Sequence, residues 1–134
     1  MFEHDPYAFS LKAIGNKWKP HILWELRNGE SIRFREIFRR LPITERVLSQ
    51  TLKELVADGL VVRTSYNEVP PRVEYSITEL GSTTIPIITA LYDWGREQMK
   101  TRGIAIDDIG EMRHGYIPLD KNKTENPAPY CVDE

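Results

Sequence analysis

The stretch RFREIFRRLPITERVLSQTLKELVADGLVVRTSYNEVPPRVEYSITELG, residues 33–81, decides the fold of this chain of 134 residues. Apolar residues recur three and four positions apart before Pro42, and they do so again after Thr44. This spacing is typical of helices that bury one face, and threonine is a good N-cap. The stretch therefore predicts two helices joined by a very tight turn, the second over about residues 44–58.

The period of the apolar residues then changes from about 3.6 to about 2 residues after Gly59. The segments LVVRTSY and RVEYSIT, which follow it, are rich in β-branched and aromatic residues, which favour strands. Residues 67–71 lie between them and contain two prolines. We expect an antiparallel hairpin with a stiff tip of five residues.

Further helices are predicted on both sides of this stretch. An Asp-Pro start indicates a helix over residues 5–14, and a second helix ends at Asn28-Gly29. Thr78 caps a long last helix that reaches about Thr101, and Pro86 should bend it. The predicted fold is mainly α with a small antiparallel β wing, which is the winged helix-turn-helix arrangement.

Three blocks of the sequence resemble one family. IGNKWKPHILWEL at residues 14–26, the stretch at 33–81 and LYDWG at 91–95 are similar to the HxlR family of bacterial winged-helix transcription regulators, relatives of the MarR type. The resemblance covers about Asp5 to Trp94. It implies a homodimer whose N- and C-terminal helices pair, so that two reading helices enter successive major grooves of a double-stranded operator.

The length predicts one domain, and charge divides the chain. Residues 1–103 form the expected HxlR-type DNA-binding domain with its terminal dimerisation helices, and residues 104–134 form an acidic C-terminal extension to which we assign no role in the fold. The net charge is −2, but residues 17–72 hold 11 basic and 7 acidic residues. The acidic total therefore does not exclude a nucleic-acid partner.

One face of the helix over residues 44–58 suits base reading. At about 100° per residue its leucines share one side, and Arg46, Gln50 and Lys53 lie on the opposite side. Arginine matches guanine edges and glutamine matches adenine edges in the major groove. We therefore predict that Arg46, Ser49 and Gln50 read bases, and that Lys53, one turn later, binds a phosphate. The alternative is a solvated helix face without a partner.

Other candidate DNA contacts surround this helix. Thr44 and the helix N-terminus can hold a phosphate. Arg33 and Arg35 lie where the motif crosses the DNA backbone, so they are expected to clamp phosphates, although some arginines of this segment only add solubility. Lys17 precedes a tryptophan at a helix start and is a further candidate for a backbone contact.

Two arginines flank the hairpin tip. Arg63 and Arg72 are candidates for the minor groove, whose negative potential attracts arginine. For Arg72 a salt bridge with Glu68 or Glu74 is an equally good interpretation. A salt bridge with one of these glutamates is the alternative for Arg63 as well.

The last helix holds more large apolar residues than one buried stripe needs, and an exposed remainder would favour aggregation of a monomer. Pairing with a second copy covers it, and two-fold dimers are the commonest assemblies. The alternative is that this face covers the extension or the first helix. The predicted interface comprises Phe2, Tyr7, Phe9, Ile88, Leu91, Tyr92, Trp94 and Met99.

The cysteine pattern departs from that of the family. Many HxlR-type proteins carry a sensor cysteine just before the proline of the first helix, where this chain has Asp5, and a carboxylate cannot do thiol chemistry. The single cysteine, Cys131, lies near the C-terminus among acidic residues, which disfavours a reactive thiolate. The identity of an effector is therefore open. The alternatives are a small molecule under the long helices, a partner protein, or the protein's own concentration.

The sequence holds no signature of an enzyme. Its three histidines lack metal-ligand spacing, and neither a Gly-rich phosphate loop nor a Ser/His/Asp motif in context is present. We expect no catalysis, no metal and no cofactor. Without a signal peptide or a long apolar run, a cytoplasmic location and no membrane contact are expected. The alternative function is a winged helix used only for protein–protein contacts, and the basic reading face argues against it.

Overall fold

The computed structural model describes residues 4–107 and 109. This part of the chain is mainly α with a small antiparallel sheet, as predicted, and none of its helices is long and apolar enough to cross a membrane. Its elements follow one another as α1 (Pro6–Ile14), α2 (Lys19–Glu25), β1 (Ile32–Arg33), α3 (Phe34–Arg40), α4 (Glu45–Ala57), β2 (Val61–Tyr66), β3 (Arg72–Ile77), α5 (Glu79–Ser82) and α6 (Ile85–Thr101).

Local side-chain chemistry sets the starts of the first two helices. The Asp5 carboxylate accepts hydrogen bonds from two backbone N–H groups of α1, and Pro6 occupies the first helical position. Before α2, the side-chain oxygen of Asn16 likewise accepts hydrogen bonds from the N–H groups of Trp18 and Lys19, at 2.9 and 2.8 Å. These bonds satisfy N–H groups that have no partner within the helix.

The sheet has three strands in the order β1-β3-β2. The predicted hairpin is confirmed, with β2 and β3 antiparallel from Val61 opposite Ile77 to Tyr66 opposite Arg72. The short strand β1 was not predicted, and it adds to the far edge of β3 with Ile32 opposite Tyr75. It joins the start of α3 to the middle of β3.

One hydrophobic core joins the helices to the sheet. It takes residues from α2, α3, α4, β1, β2, β3 and α6, so the wing is not an appendage but shares the packing of the helices. Side chains with almost no exposed surface at its centre are Ile22, Leu23, Leu26, Ile37, Leu48, Leu52, Leu55 and Val61.

The single long C-terminal helix of the sequence prediction is wrong. Thr78 caps a helix as expected, but this helix, α5, ends at Ser82, and α6 begins at Ile85. Between them, the buried Thr84 donates a side-chain hydrogen bond to the carbonyl oxygen of Gly81 at 2.6 Å. Pro86 lies in the first turn of α6, where its missing N–H costs no hydrogen bond, so it starts a helix instead of bending one.

The acidic extension lies outside the described residues apart from 104–107 and 109. Ile109 is half-buried and packs against the core. The expectation that the extension takes no part in the fold is therefore wrong for this residue.

Gly81 lies where backbone meets backbone. A Cβ atom at this position would lie 2.1 Å from the carbonyl oxygen of Leu60 and 2.7 Å from a side-chain carbon of Ile77. Real Cβ atoms do not come so near to backbone, so α5 approaches the sheet this closely only because residue 81 has no side chain.

We predict that Gly81→Ala destabilises the protein by about 1 to 3 kcal/mol, the usual cost of overpacking. The midpoint of urea denaturation, followed by circular dichroism, measures the effect. Ser82→Ala on the same short helix is the control, because Ser82 is exposed and its loss should change stability by less than about 0.5 kcal/mol. Equal midpoints for the two variants would contradict the close approach.

Candidate nucleic-acid interface

Helix α4 has one apolar and one polar side. Leu48, Leu52 and Leu55 are buried in the core, as their spacing predicted. The opposite side is exposed and carries the four predicted DNA contacts of this helix, Arg46, Ser49, Gln50 and Lys53. The helix therefore presents hydrogen-bond donors and cations to solvent from a rigidly packed element.

The N-terminus of α4 is capped as predicted. The Thr44 hydroxyl oxygen accepts a hydrogen bond from the N–H of Val47 at 3.2 Å, and Glu45 lies in the first turn, where the helix dipole favours a negative charge. Thr44 is exposed, and so are Glu45, Arg46 and Val47 of the first turn.

A basic cleft of about 380 Å³ opens between α4 and the sheet. Arg33, Arg35 and Arg63 line it from three segments of the chain and are exposed, and Ser49 of α4 forms part of the same wall. The acidic side chain that lines it is Glu45. The fold thus brings together arginines that are 30 residues apart in sequence, beside the polar side of α4.

Arg72 is held within the wing. Its guanidinium binds the carboxylates of Glu68, at 2.7 Å, and of Glu74, and it stacks on the Tyr66 ring with 3.8 Å between the Cζ atom and the ring centroid. The hydrogen bond from Arg72 lowers the pKa of Glu68. The salt-bridge interpretation of Arg72 is therefore the one seen in the structure, and Arg72 forms a salt bridge with each of the two predicted glutamates.

Arg39 and Arg40 of α3 form ion pairs within the domain. Glu36 accepts hydrogen bonds from Arg39 and Arg40, and the first of these contributes most to lowering the pKa of Glu36. Arg40 also binds Glu25 of α2 at 3.0 Å, and the Glu25 side chain is only 1% exposed. Arg40 therefore neutralises a carboxylate in the core and ties α3 to α2.

Lys17 lies just before α2 and is exposed. Its ammonium group lies 5.2 Å from the centroid of the Trp18 ring, which is within the range of a cation–π contact. It does not line the basic cleft.

A polar chain behind α4 was missed by the sequence analysis. Lys19 is buried, and its Nζ atom lies 3.2 Å from a carboxylate oxygen of Glu54, whose other oxygen accepts a hydrogen bond from Gln50 at 3.2 Å. The spacing of four residues between Gln50 and Glu54 was a usable signal, since such pairs meet on a helix. Nothing local marks Lys19, because its partner is 35 residues away.

Apolar side chains are exposed on the two terminal helices. α1 exposes Tyr7 and Phe9, and α6 exposes Leu91 and Trp94, the last with 66% of its surface accessible. An apolar groove of about 650 Å³ runs between α1, α5 and the start of α6. These surfaces include four of the residues predicted for the dimer interface.

The other predicted interface residues differ. Ile88 is 2% exposed and belongs to the core, so its predicted place in the dimer interface is wrong. It lies on the side of α6 that packs on the domain. Tyr92 and Met99 are half-buried, and the Tyr92 hydroxyl accepts a hydrogen bond from Arg96. Phe2 lies outside the described residues.

Cys131 lies outside the described residues as well. Within residues 4–107 and 109, no group of three or more His, Cys, Asp or Glu side chains is arranged to hold a metal ion.

His21 has a lowered pKa, caused first by burial and then by the charge of Lys17.

Residues 13–102 match the HxlR-like helix-turn-helix family. The chain belongs to the HxlR family. It is 51% identical over 97 residues to an uncharacterized HTH-type transcriptional regulator of Methanothermobacter thermautotrophicus, a match that covers 69% of this chain and 73% of the relative. The family is one of transcriptional regulators, and this HxlR protein is a DNA-binding transcriptional regulator.

Solved structures of transcriptional regulators share its fold. The redox regulator HypR in its reduced form superimposes with a TM-score of 0.67 at 42% identity, over 74% of this chain and 98% of HypR. A regulator described as of the MarR family, from Porphyromonas gingivalis, gives a TM-score of 0.65 at 40% identity, over 71% of this chain and 93% of that one. The winged helix-turn-helix fold predicted from the sequence is thereby confirmed.

We predict that Thr44→Ala lowers the free energy of unfolding by about 1 kcal/mol, because α4 loses the side chain that satisfies a first-turn N–H. Thr44→Ser is the control, since a serine hydroxyl caps a helix equally well. Urea denaturation measures both variants. Because Thr44 is exposed, no cavity complicates the comparison, and an unchanged midpoint for the alanine variant would refute the cap.

Proposed function

We propose that this HxlR-family protein acts as a homodimer on a pseudopalindromic double-stranded operator, with α4 in the major groove and the wing at residues 66–72 beside the minor groove. The observation that carries the proposal is the exposed polar side of α4, which stands opposite a buried leucine face. Helices of this kind enter the major groove with their N-terminal residues towards the bases.

The polar side of α4 divides into base and phosphate contacts. Arg46 offers two donors to the O6 and N7 acceptors of guanine, and Gln50 offers one donor and one acceptor to adenine. Ser49 lies between them and can bond either base type. Lys53 is one turn further from the helix N-terminus, so its proposed partner is a phosphate, and Thr44 with the first-turn N–H groups binds another.

The basic cleft supports backbone contacts next to α4. Arg33 and Arg35 are proposed to bind phosphates on the side of α3, and Lys17 retains a proposed backbone contact of its own. Arg63 is exposed on β2, three residues before Tyr66 at the end of the hairpin, and is proposed as the arginine of this hairpin that meets the minor groove. Arg72 is already bonded to two glutamates, so its proposed part is to stiffen the wing.

A dimer through α1 and α6 covers the exposed apolar side chains. Tyr7, Phe9, Leu91 and Trp94 lie on the two terminal helices, and an aromatic surface of this kind is typical of interface cores. A two-fold dimer matches the two-fold symmetry of an operator. Tyr92 and Met99, half-buried in one subunit, complete the proposed interface.

The protein is proposed to work in the cytoplasm, without catalysis, metal or cofactor. A small-molecule effector is a further proposed partner, and its identity is open. A protein–protein module that does not bind DNA is the competing function, and the DNA-binding experiment below decides between the two.

We predict that Arg46→Ala and Gln50→Ala each cost about 1 to 3 kcal/mol on the operator and relax the preference at one base pair, because each removes a base contact. Lys53→Ala should weaken operator and scrambled duplex by the same factor, because phosphate contacts carry no sequence information. Fluorescence anisotropy on both duplexes, with the operator obtained by selection from random DNA, measures these effects.

Salt provides the control for the same assay. The logarithm of the binding constant should fall with the logarithm of salt concentration by about 0.9 per phosphate contact, and the slope of Lys53→Ala should be smaller by about one contact. An absence of DNA binding, or affinity that does not respond to salt, would favour the protein–protein module. Equal losses on both duplexes for Arg46→Ala would remove that residue from base reading.

We predict that the free protein is a dimer and that Trp94→Glu converts it to a monomer, because a carboxylate cannot be buried unpaired in an apolar interface. Light scattering should give twice the subunit mass of 15.6 kDa for the natural protein and the subunit mass for the variant. Val62→Glu is the matched control, since Val62 is also an exposed apolar residue but belongs to β2 and not to a terminal helix. A natural protein that is monomeric at micromolar concentration would refute the interface.

A further inference from the structure

A continuous polar chain links the proposed adenine reader to a buried lysine. Gln50 donates from Nε2 to Oε2 of Glu54 at 3.2 Å, and Oε1 of Glu54 lies 3.2 Å from Nζ of Lys19. Lys19 also donates to the backbone oxygen of Lys12, in the last turn of α1, at 2.9 Å. The chain thus runs from α1 through the start of α2 to the exposed side of α4.

Lys19 fixes one end of this chain. Its side chain is 5% exposed, and a buried ammonium group is tolerated only where acceptors replace its water. Two acceptors do so, the Lys12 carbonyl and the Glu54 carboxylate, and moving away from either would leave a buried charge less well solvated. The Glu54 side chain is 43% exposed, so it is Lys19 and not burial that holds the carboxylate in place.

The chemistry of a carboxylate decides what Gln50 presents. Hydrogen bonds from Gln50 and then Lys19 lower the pKa of Glu54, which keeps the group ionised at neutral pH, and an ionised carboxylate only accepts hydrogen bonds. It must therefore face the NH₂ end of the amide and not its oxygen. The amide oxygen and one N–H are left for another partner, and one acceptor with one donor is the pair that the adenine edge requires.

We propose that Glu54 is a positioning residue for base recognition: it holds the side-chain amide of Gln50 in the orientation that reads adenine, and Lys19 in turn fixes Glu54. The proposal rests on the proposed function, in which Gln50 contacts a base. It adds a residue that touches no DNA and yet determines which base is preferred.

The test compares Glu54→Ala with the natural protein on four duplexes that differ only at the base pair whose preference Gln50→Ala relaxes. Without the carboxylate the amide of Gln50 is free to turn over, so discrimination among the four should fall by about threefold or more, in line with coupling between contacting residues. Affinity for a scrambled duplex should stay equal or rise, because a negative charge is removed. Undiminished discrimination, or a uniform loss on all duplexes, would overturn the proposal.

A double-mutant cycle shows whether the effect passes through Gln50. In the Gln50→Ala background, Glu54→Ala should cause no further loss of discrimination, since no amide remains to be oriented. A loss as large as that in the natural background would mean that Glu54 acts by another route, and would overturn the proposal.

Charge and folding need a matched pair of variants. Glu54→Gln and Asp58→Asn each remove one negative charge from the end of α4 without changing size, and in the described part of the chain Asp58 makes no side-chain contact with Gln50. Glu54→Gln should lose discrimination, because a neutral amide can face either end of Gln50, while Asp58→Asn should retain it. Similar losses for both, or a lowered Tm that accounts for the loss in Glu54→Gln, would overturn the proposal.

The outcomes separate the two proposals. If Gln50→Ala leaves every base preference intact, base reading by Gln50 fails and the role of Glu54 fails with it. If Gln50→Ala relaxes one preference and Glu54→Ala does not, only the positioning role fails.

Discussion

The burial of the leucine face of α4 is the constraint on which the rest of the structure depends. Leu48, Leu52 and Leu55 share one core with α2, α3 and the sheet, so the helix cannot rotate about its axis without exposing them. Burying a leucine contributes about 1.5 to 3 kcal/mol, and three together exceed anything that the opposite, exposed side can gain alone. The core therefore fixes which side chains α4 exposes to solvent, and this includes the side that we propose for base reading.

Those parts of the fold that depend on neighbours in sequence were predictable. The caps at Asp5, Thr44 and Thr78 are formed by a side chain and an N–H two or three residues away, so residue type and spacing reveal them. The strand β1 was not predictable, since two residues carry no period and its pairing with β3 is 40 or more residues distant. The break before α6 was not predictable for a related reason: α5 ends at Ser82, next to Gly81, and Gly81 approaches Leu60, which is distant in sequence.

The candidate site divides in the same way. The exposed face of α4 follows from helix geometry and was therefore predictable from the spacing of its residues. The partners of the arginines depend on the tertiary structure. Arg40 and Arg72 are bound to glutamates within the fold, and Arg33 lies 4.0 Å from Glu74. Arg33, Arg35, Arg63 and Arg72 all line the open cleft. The net charge of the chain does not reveal the basic cleft, because it sums the charges of residues that the fold places on different surfaces. Ile88 was misassigned because a helix with two apolar sides does not reveal from its sequence which side meets its own core.

The junction between α5 and α6 has a geometric consequence for a dimer that pairs through α6. Thr83 and Thr84 form this junction, and their hydroxyls donate hydrogen bonds to the carbonyl oxygens of Leu80 and Gly81. With 17 residues α6 is about 25 Å long, so a change of about 10° at this junction would move its far end by roughly 4 Å. That distance is close to the rise of one base pair, about 3.4 Å. If the proposed dimer forms through α6, the geometry of this junction therefore bears on the distance between its two α4 helices.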